Sequence, residues 1–162
     1  MRLGKPVFYW DSCLFIAWLA DEKRKTGEME GLAEVVLMVD AREAYILTSV
    51  ITRGEVLDSS LSKDAQEKFR NLLCNPSFTF ADVSMPISEI ASKIRDLYKN
   101  LKPQSINVEV PDATHLATAI AYKVVDEFHT FDEKDLLRFD GDVAGYKLKI
   151  CKPSAKQKQL FV

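Results

Sequence analysis

The sequence predicts an α/β fold in which a mostly parallel sheet is covered by helices on both faces. Short β-branched and aromatic runs alternate with helical segments along the chain, the arrangement that βαβ crossovers require. With 162 residues, 47% of them hydrophobic and 28% charged, the chain has an ordinary globular composition and a length that suits one domain, expected over residues 1–162. Acidic residues follow several of the strands, where sheets of this kind place their ligands.

Pro6 to Trp10 is a β-branched and aromatic run, and Asp11-Ser12 stands where a strand gives way to a helix cap. Cys13 to Ala20 is apolar enough for a buried helix, and the charged stretch Asp21 to Thr26 with Gly27 turns the chain. Glu28 to Ala44 repeats apolar residues at Met29, Leu32, Val35, Val36 and Val39, near the helical period. Tyr45 to Ser49 reads as a second strand and Val50 to Leu57 as the helix after it. Lys63 to Cys74 is amphipathic and stops at Asn75-Pro76; Phe78 to Val83 alternates like a strand; Ile87 to Leu101 returns to the helical period.

Lys102 to Pro111 is the expected loop, and Asp112 opens a small-residue helix, Ala113 to Ala121, suited to close packing on a sheet. Glu127 to Phe131 is a fourth strand ending at Asp132, Leu136-Leu137 a short helical turn, and Tyr146 to Cys151 a fifth strand. Phe8, Tyr9, Trp10, Phe15 and Trp18 fall on elements predicted to be buried and belong to the core.

Charge and cysteine usage exclude several classes. Lys and Arg total 22 against 24 Asp and Glu, a net charge of −2, so any contact with nucleic acid is local. Cys13, Cys74 and Cys151 are odd in number and scattered, without the spacing of a disulfide framework or a zinc site. The apolar run at Val7 is cut by Asp11, too early for a signal-peptide core, and Val35 to Val39 falls far short of the ~20 residues that span a bilayer. A soluble, cytoplasmic protein with no membrane partner is expected.

Four acids, Asp11, Glu55, Asp112 and Asp132, are expected at one end of the sheet. Gathered carboxylates repel one another and raise each other's pKa unless a cation offsets them. An all-oxygen set suits Mg²⁺ or Mn²⁺, and the clustered His and Cys that zinc prefers are missing. Such an ion polarises a phosphoryl oxygen and activates water, which is the chemistry of phosphodiester hydrolysis. Taken singly, each acid reads more readily as a helix cap or dipole partner than as a catalytic group.

Taken together, the segments resemble the PIN domain family, and within it the VapC-like toxin ribonucleases. Phe8-Tyr9-Trp10-Asp11-Ser12 is similar to the family's strand ending in Asp-Thr/Ser, and Ser49 followed by a helix bearing Glu55 to its second motif. Asp112-Ala113-Thr114-His115-Leu116-Ala117-Thr118-Ala119 is similar to the family's Asp-Ala-x-His-Leu-Ala-Thr-Ala helix, and Phe128 to Asp132 to its strand ending in Thr-x-Asp. The motifs spread over most of the chain. Cys13 departs from the pattern, which more often has Asn or Ser there, and Arg53-Gly54 places a glycine inside a helix.

The resemblance implies a three-layer α/β/α sandwich, Mg²⁺- or Mn²⁺-dependent cleavage of RNA, frequent homodimers and often an antitoxin protein as partner. It makes Asp11, Glu55, Asp112 and Asp132 the catalytic and metal-ligating candidates, with Asp135 in reserve. Ser12 is expected to orient Asp11 and Thr130 to support the acid at Asp132. Arg53 is a candidate to hold a substrate phosphate, with an ion pair as the alternative. His115 and His129 are assigned packing, hydrogen-bonding or surface roles, His129 without an identifiable partner.

Beyond Asp142 there are lysines and no acids, so the C-terminal stretch, with a tail at about 152–162, is locally basic and either touches RNA phosphates or is solvated. Lys23-Arg24-Lys25 reads as a solvated turn. The reading is a metal-dependent endoribonuclease, the toxin of a toxin–antitoxin pair in one setting. The alternatives are a non-catalytic PIN-like scaffold that binds RNA or protein, and, more distantly, a Mg²⁺ phosphotransferase or phosphatase. The last is disfavoured by Ser12-Cys13, where a second Asp two positions after Asp11 is wanted.

Overall fold

The computed structural model describes residues 4–72 and 74–154. Its strands are β1 (Val7–Trp10), β2 (Tyr45–Ser49), β3 (Phe78–Ala81), β4 (Glu127–His129) and β5 (Ile150–Cys151), side by side in the order β3-β2-β1-β4-β5 and all parallel. The helices are α1 (Ser12–Leu19), α2 (Glu28–Asp40), α3 (Ile51–Leu57), α4 (Lys63–Leu72), α5 (Met85–Lys99) and α6 (Val110–Ala121). A 3₁₀ turn covers Leu137–Phe139.

Strand β1 is central, and all four of its side chains are buried because both faces of a parallel sheet are covered. Its residues alternate between two cores, as the pleat requires. Val7 and Tyr9 join Leu47, Phe128, Ile87 and Ile94 of α5 and Ala113, Leu116 and Ala117 of α6. Phe8 and Trp10 join Ile46, Leu14 and Phe15 of α1, Leu32 and Val35 of α2 and Phe69 of α4. The expected α/β/α sandwich with a parallel sheet is therefore present. The predicted core aromatics are placed as expected, Phe8, Tyr9, Trp10 and Phe15 at 0% exposure and Trp18 packed at the edge of the second core.

Several boundaries differ from the sequence reading. Helix α2 stops at Asp40 instead of Ala44, because Arg42 takes a left-handed conformation (φ 57°) that a continuing helix does not allow. Helix α6 starts at Val110, inside the expected loop, since a proline in the first turn, here Pro111, sacrifices no intrahelical bond. Strand β3 ends at Ala81, α5 begins at Met85, and β4 ends at His129, so Asp132 stands three residues beyond its strand.

The fifth strand is two residues long instead of running from Tyr146. Tyr146 and Val143 exchange two backbone hydrogen bonds of 2.9 Å across Ala144 and Gly145, both left-handed, so this tight turn removes Tyr146 from the sheet.

Gly31 has a structural reason. A Cβ there would lie 2.4 Å from the Pro153 carbonyl oxygen, so only glycine lets residues 153–154 cross α2. Just before the crossing, Lys152 pairs with Glu28 at 2.6 Å and with Glu133. The rest of the expected basic tail, 155–162 with Lys156 and Lys158, lies outside the described residues. Among the described residues, no helix is long and apolar enough to cross a membrane.

Candidate active site

Because every strand runs the same way, the residues that follow them emerge along one edge of the sheet. Trp10 is in register with His129, which sets the next residues of the two strands, Asp11 and Thr130, side by side. The Thr130 hydroxyl donates to Asp11 Oδ2 at 2.5 Å. On the other carboxylate oxygen, Oδ1, the Cys13 thiol donates at 2.8 Å and the Leu14 N–H at 3.4 Å, the latter as the N-cap bond of α1. Asp11 is thus buried, 4% exposed, and held by three donors. Burial lifts its carboxyl above the usual range, against the opposing pull of His115 and of these donors.

Thr130 continues the chain of contacts by accepting the Asp132 N–H at 2.9 Å. The Asp132 carboxylate turns the backbone after it, its Oδ1 accepting the N–H groups of Lys134 at 3.0 Å and Asp135 at 2.8 Å. Asp112, in the first turn of α6, accepts no hydrogen bond among the described residues. Its carboxyl is pushed up to about 6 by partial burial and then by the charge of Asp132, with Asp135 and Asp11 adding and His115 opposing.

Glu55, on α3, joins through His115 of α6, whose Nε2 lies 2.9 Å from Glu55 Oε2. The other ring nitrogen, Nδ1, is 2.7 Å from the Tyr9 hydroxyl, which also accepts the Ser49 N–H at 3.1 Å.

The structure therefore brings Asp11, Glu55, Asp112, Asp132 and Asp135 to one neighbourhood, linked by Thr130 and His115. Surplus negative charge on all-oxygen donors, with one carboxylate lacking any donor among the described residues, fits a hard divalent cation. No three of these acids bring their ligand atoms within 4.8 Å of one another among the described residues. Among the described residues, the group whose ligand atoms lie within 4.8 Å of each other is a different one, Glu127, His129 and Cys151.

That second cluster is built for protons. Trp10 Nε1–H donates to His129 Nδ1 at 3.2 Å, so the neutral ring carries its proton on Nε2, where it donates to Glu127 Oε2 at 3.0 Å. A metal at Nε2 would have to displace that proton, and Lys149, paired with Glu127 Oε1, already supplies the cation. His129, left without a partner by the sequence reading, is fully buried and stacked on Phe8 with ring centroids 4.6 Å apart.

Other expectations need correction. Ser12 makes no hydrogen bond to Asp11; Cys13 takes that position, because α1 turns its second residue, and not its first, toward the carboxylate. Thr130, expected to support Asp132, accepts the Asp132 N–H and in addition gives its own proton to Asp11. Arg53 is exposed and, among the described residues, has no ion pair, so the salt-bridge alternative is not realised. Lys23-Arg24-Lys25 is more than a solvated turn. Arg24 sits over the Phe131 ring at 4.3 Å and pairs with Glu22 and Glu28, while Lys25 pairs with Glu133. Lys23, Arg24 and Lys25 line a cleft of about 570 Å³ with Glu28, Asp132 and Lys134. The basic C-terminal stretch is likewise partly neutralised, Lys149 by Glu127 and Lys152 by Glu28 and Glu133.

Sequence reasoning missed Cys13 and His115 as contacts of the acids. The one signal available for Cys13 was its place two residues after a helix-capping Asp. For His115 it was a spacing of three residues from Asp112, one helical turn.

A family model, described as the PIN domain, matches residues 8–142. Among solved structures, a toxin–antitoxin complex from Klebsiella pneumoniae is 25% identical with a TM-score of 0.55, over 86% of this chain and 98% of that one. VapBC2 from Rickettsia felis, bound to a DNA fragment from its promoter, matches with a TM-score of 0.61 at 14% identity, over 89% of this chain and 98% of that one. VapC20 from Mycobacterium tuberculosis, a toxin that cleaves the sarcin-ricin loop, matches at 13% identity with a TM-score of 0.55, over 77% and 89%. Among curated protein sequences, none matches.

Proposed function

The chain belongs to the PIN domain family, and from that footing we propose that it is a divalent-metal-dependent endoribonuclease with Asp11, Glu55, Asp112 and Asp132 as its metal-binding and catalytic acids. The observation that carries this reading is Asp112, a partly buried carboxylate that accepts no hydrogen bond among the described residues and feels the charge of Asp132, Asp135 and Asp11. Such an arrangement is unfavourable on its own and becomes favourable with a cation among the acids.

When bound, Mg²⁺ or Mn²⁺ supplies Lewis acidity at a phosphoryl oxygen and lowers the pKa of water. The protein's part is to hold the donors. Asp11 is fixed by Thr130, Cys13 and Leu14, and its burial keeps competing water from the back of the carboxylate. Asp132 is fixed by the turn it closes, and Asp135 adds negative charge that Asp112 feels. Arg53, on the same helix as Glu55, exposed and without an ion pair among the described residues, is suited to hold a substrate phosphate.

The substrate proposed is structured RNA, and an antitoxin protein and a second copy of this chain are the proposed partners. The Klebsiella toxin–antitoxin complex supports the antitoxin, and the sarcin-ricin loop toxin supports the RNA class.

The test is cleavage of an end-labelled structured RNA, such as a transfer RNA pool, by purified protein with Mg²⁺ or Mn²⁺. Cutting is expected from the wild type, with none in chelator and none in Asp11→Asn. Cutting that persists in Asp11→Asn removes the proposed role of that acid. The competing reading, a PIN-like scaffold that binds without cutting, finds support in the open spacing of the acids, none of which share a group of three within 4.8 Å among the described residues. It predicts RNA retention without cleavage and no uptake of divalent ions.

A further inference from the structure

Apart from the direct holders of Asp11, the site contains a buried chain of polar groups that the proposed chemistry leaves without a part. It begins at the backbone of Ser49, at the end of β2, whose N–H donates to the Tyr9 hydroxyl at 3.1 Å. Tyr9 meets His115 Nδ1 at 2.7 Å, and His115 Nε2 meets Glu55 Oε2 at 2.9 Å. Tyr9 is 0% exposed and His115 2%. The chain thus crosses from the centre of the sheet, through α6, to an acid on α3.

The direction of its last link follows from chemistry. A carboxylate only accepts, so Nε2 carries a proton and donates to Glu55 whichever way the Tyr9 bond runs. Buried as they are, the Tyr9 hydroxyl and both His115 ring nitrogens require partners, and the partner that His115 takes at Nε2 is an acid of the site. Glu55 is the acid that needs the help. Its side chain is 29% exposed and it sits on a seven-residue helix, whereas Asp11 has three donors of its own and Asp132 is held by its turn. With Oε2 engaged by His115, Oε1 accepts no hydrogen bond among the described residues and is the freer oxygen to face a cation.

Resting on the metal-dependent reading above, we infer that His115 is a positioning residue: buttressed by Tyr9, it donates from Nε2 to Glu55 and presents that carboxylate to the cation through a single oxygen. The arrangement is the one by which partners behind a metal ligand commonly tune affinity.

The experiment is calorimetric titration of the full chain with Mn²⁺ alone, for wild type, Glu55→Gln, His115→Gln and His115→Asn, with thermal unfolding of each. Glutamine places an amide N–H near the position of Nε2, while asparagine reaches only as far as Nδ1. Glu55→Gln and His115→Asn are expected to weaken Mn²⁺ binding about tenfold or more, with His115→Gln within about threefold of wild type. A purely structural histidine would move thermal stability in both variants and would not separate their affinities.

If Glu55→Gln weakens binding and His115→Asn does not, the inference falls and the metal-dependent reading stands. Equal losses in the Gln and Asn variants overturn the inference in favour of packing. A wild type that takes up no Mn²⁺ overturns the metal-dependent reading, and this inference with it. Should His115→Asn not fold, Tyr9→Phe, which deletes one oxygen, is read instead. A severalfold loss supports the chain, and an unchanged affinity overturns it.

Discussion

Cys13 illustrates how a single side chain is set by residues far from it in sequence. Its thiol donates to Asp11 Oδ1 at 2.8 Å, touches the Thr130 hydroxyl at 3.6 Å and accepts the Phe131 N–H at 3.3 Å. Burial, and then the adjacent Asp11 charge, push the thiol well above its usual pKa, so it stays protonated and remains a donor. Cys13→Ala removes a hydrogen bond to a charged acceptor, a loss of about 1.5–3 kcal/mol, and is expected to lower both folding stability and Mn²⁺ affinity. Cys13→Ser keeps a donor and is expected to retain most of the affinity. Thermal unfolding and Mn²⁺ titration of the pair check this, and equal affinities in the Ala variant and wild type would deny the thiol a role. Asp11 and Asp112 were legible as positions because one directly follows β1 and the other lies in the first turn of α6, whereas Glu55 stands a turn into α3 and Asp132 three residues past β4. The Cys13, Thr130 and His115 contacts were not legible, because they depend on register between strands and on packing between α6 and α3, which no local pattern carries.

At the scale of elements, most helices and strands were legible from periodicity, since buried faces impose periods of 2 and 3.6 on a chain of this composition. The errors fall where backbone conformation decides. Arg42 and Ala144 are left-handed, although neither residue type signals it, and they end α2 and shorten β5. Helix α3 offers a test of propensity against packing. Gly54 is exposed within it, and a Cβ there meets nothing within 4 Å. Gly54→Ala is therefore expected to stabilise the fold by about 0.5–1 kcal/mol in chemical denaturation. A destabilised variant would show that the glycine serves a contact absent from the described residues.

For the molecule as a whole, the C-terminal segment is tied back across α2 by Lys152, between Glu28 and Glu133, with Gly31 leaving it room. Burial alone would raise the Glu28 carboxyl, but Lys152 and Arg24 outweigh it and hold the pKa below its ordinary 4.5. A carboxylate with a depressed folded pKa contributes stability above its unfolded pKa and loses it as pH falls through the folded value. Glu28→Gln is thus expected to cost about 1 kcal/mol near pH 7, with the gap to wild type closing as the pH falls below about 4. Urea denaturation at the two pH values reads this, and a gap that stays constant would place the role of Glu28 outside electrostatics.

The same all-parallel topology puts five acids at one edge and a proton-filled Glu127, His129 and Cys151 cluster between β4 and β5, and this contrast is the sharpest test of the account. The measurement is an anomalous difference map from crystals grown or soaked with Mn²⁺. A peak is expected about 2.0–2.2 Å from carboxylate oxygens of Asp11, Glu55, Asp112 or Asp132. A map with no peak at those acids, or with its ion between Glu127, His129 and Cys151, would contradict it.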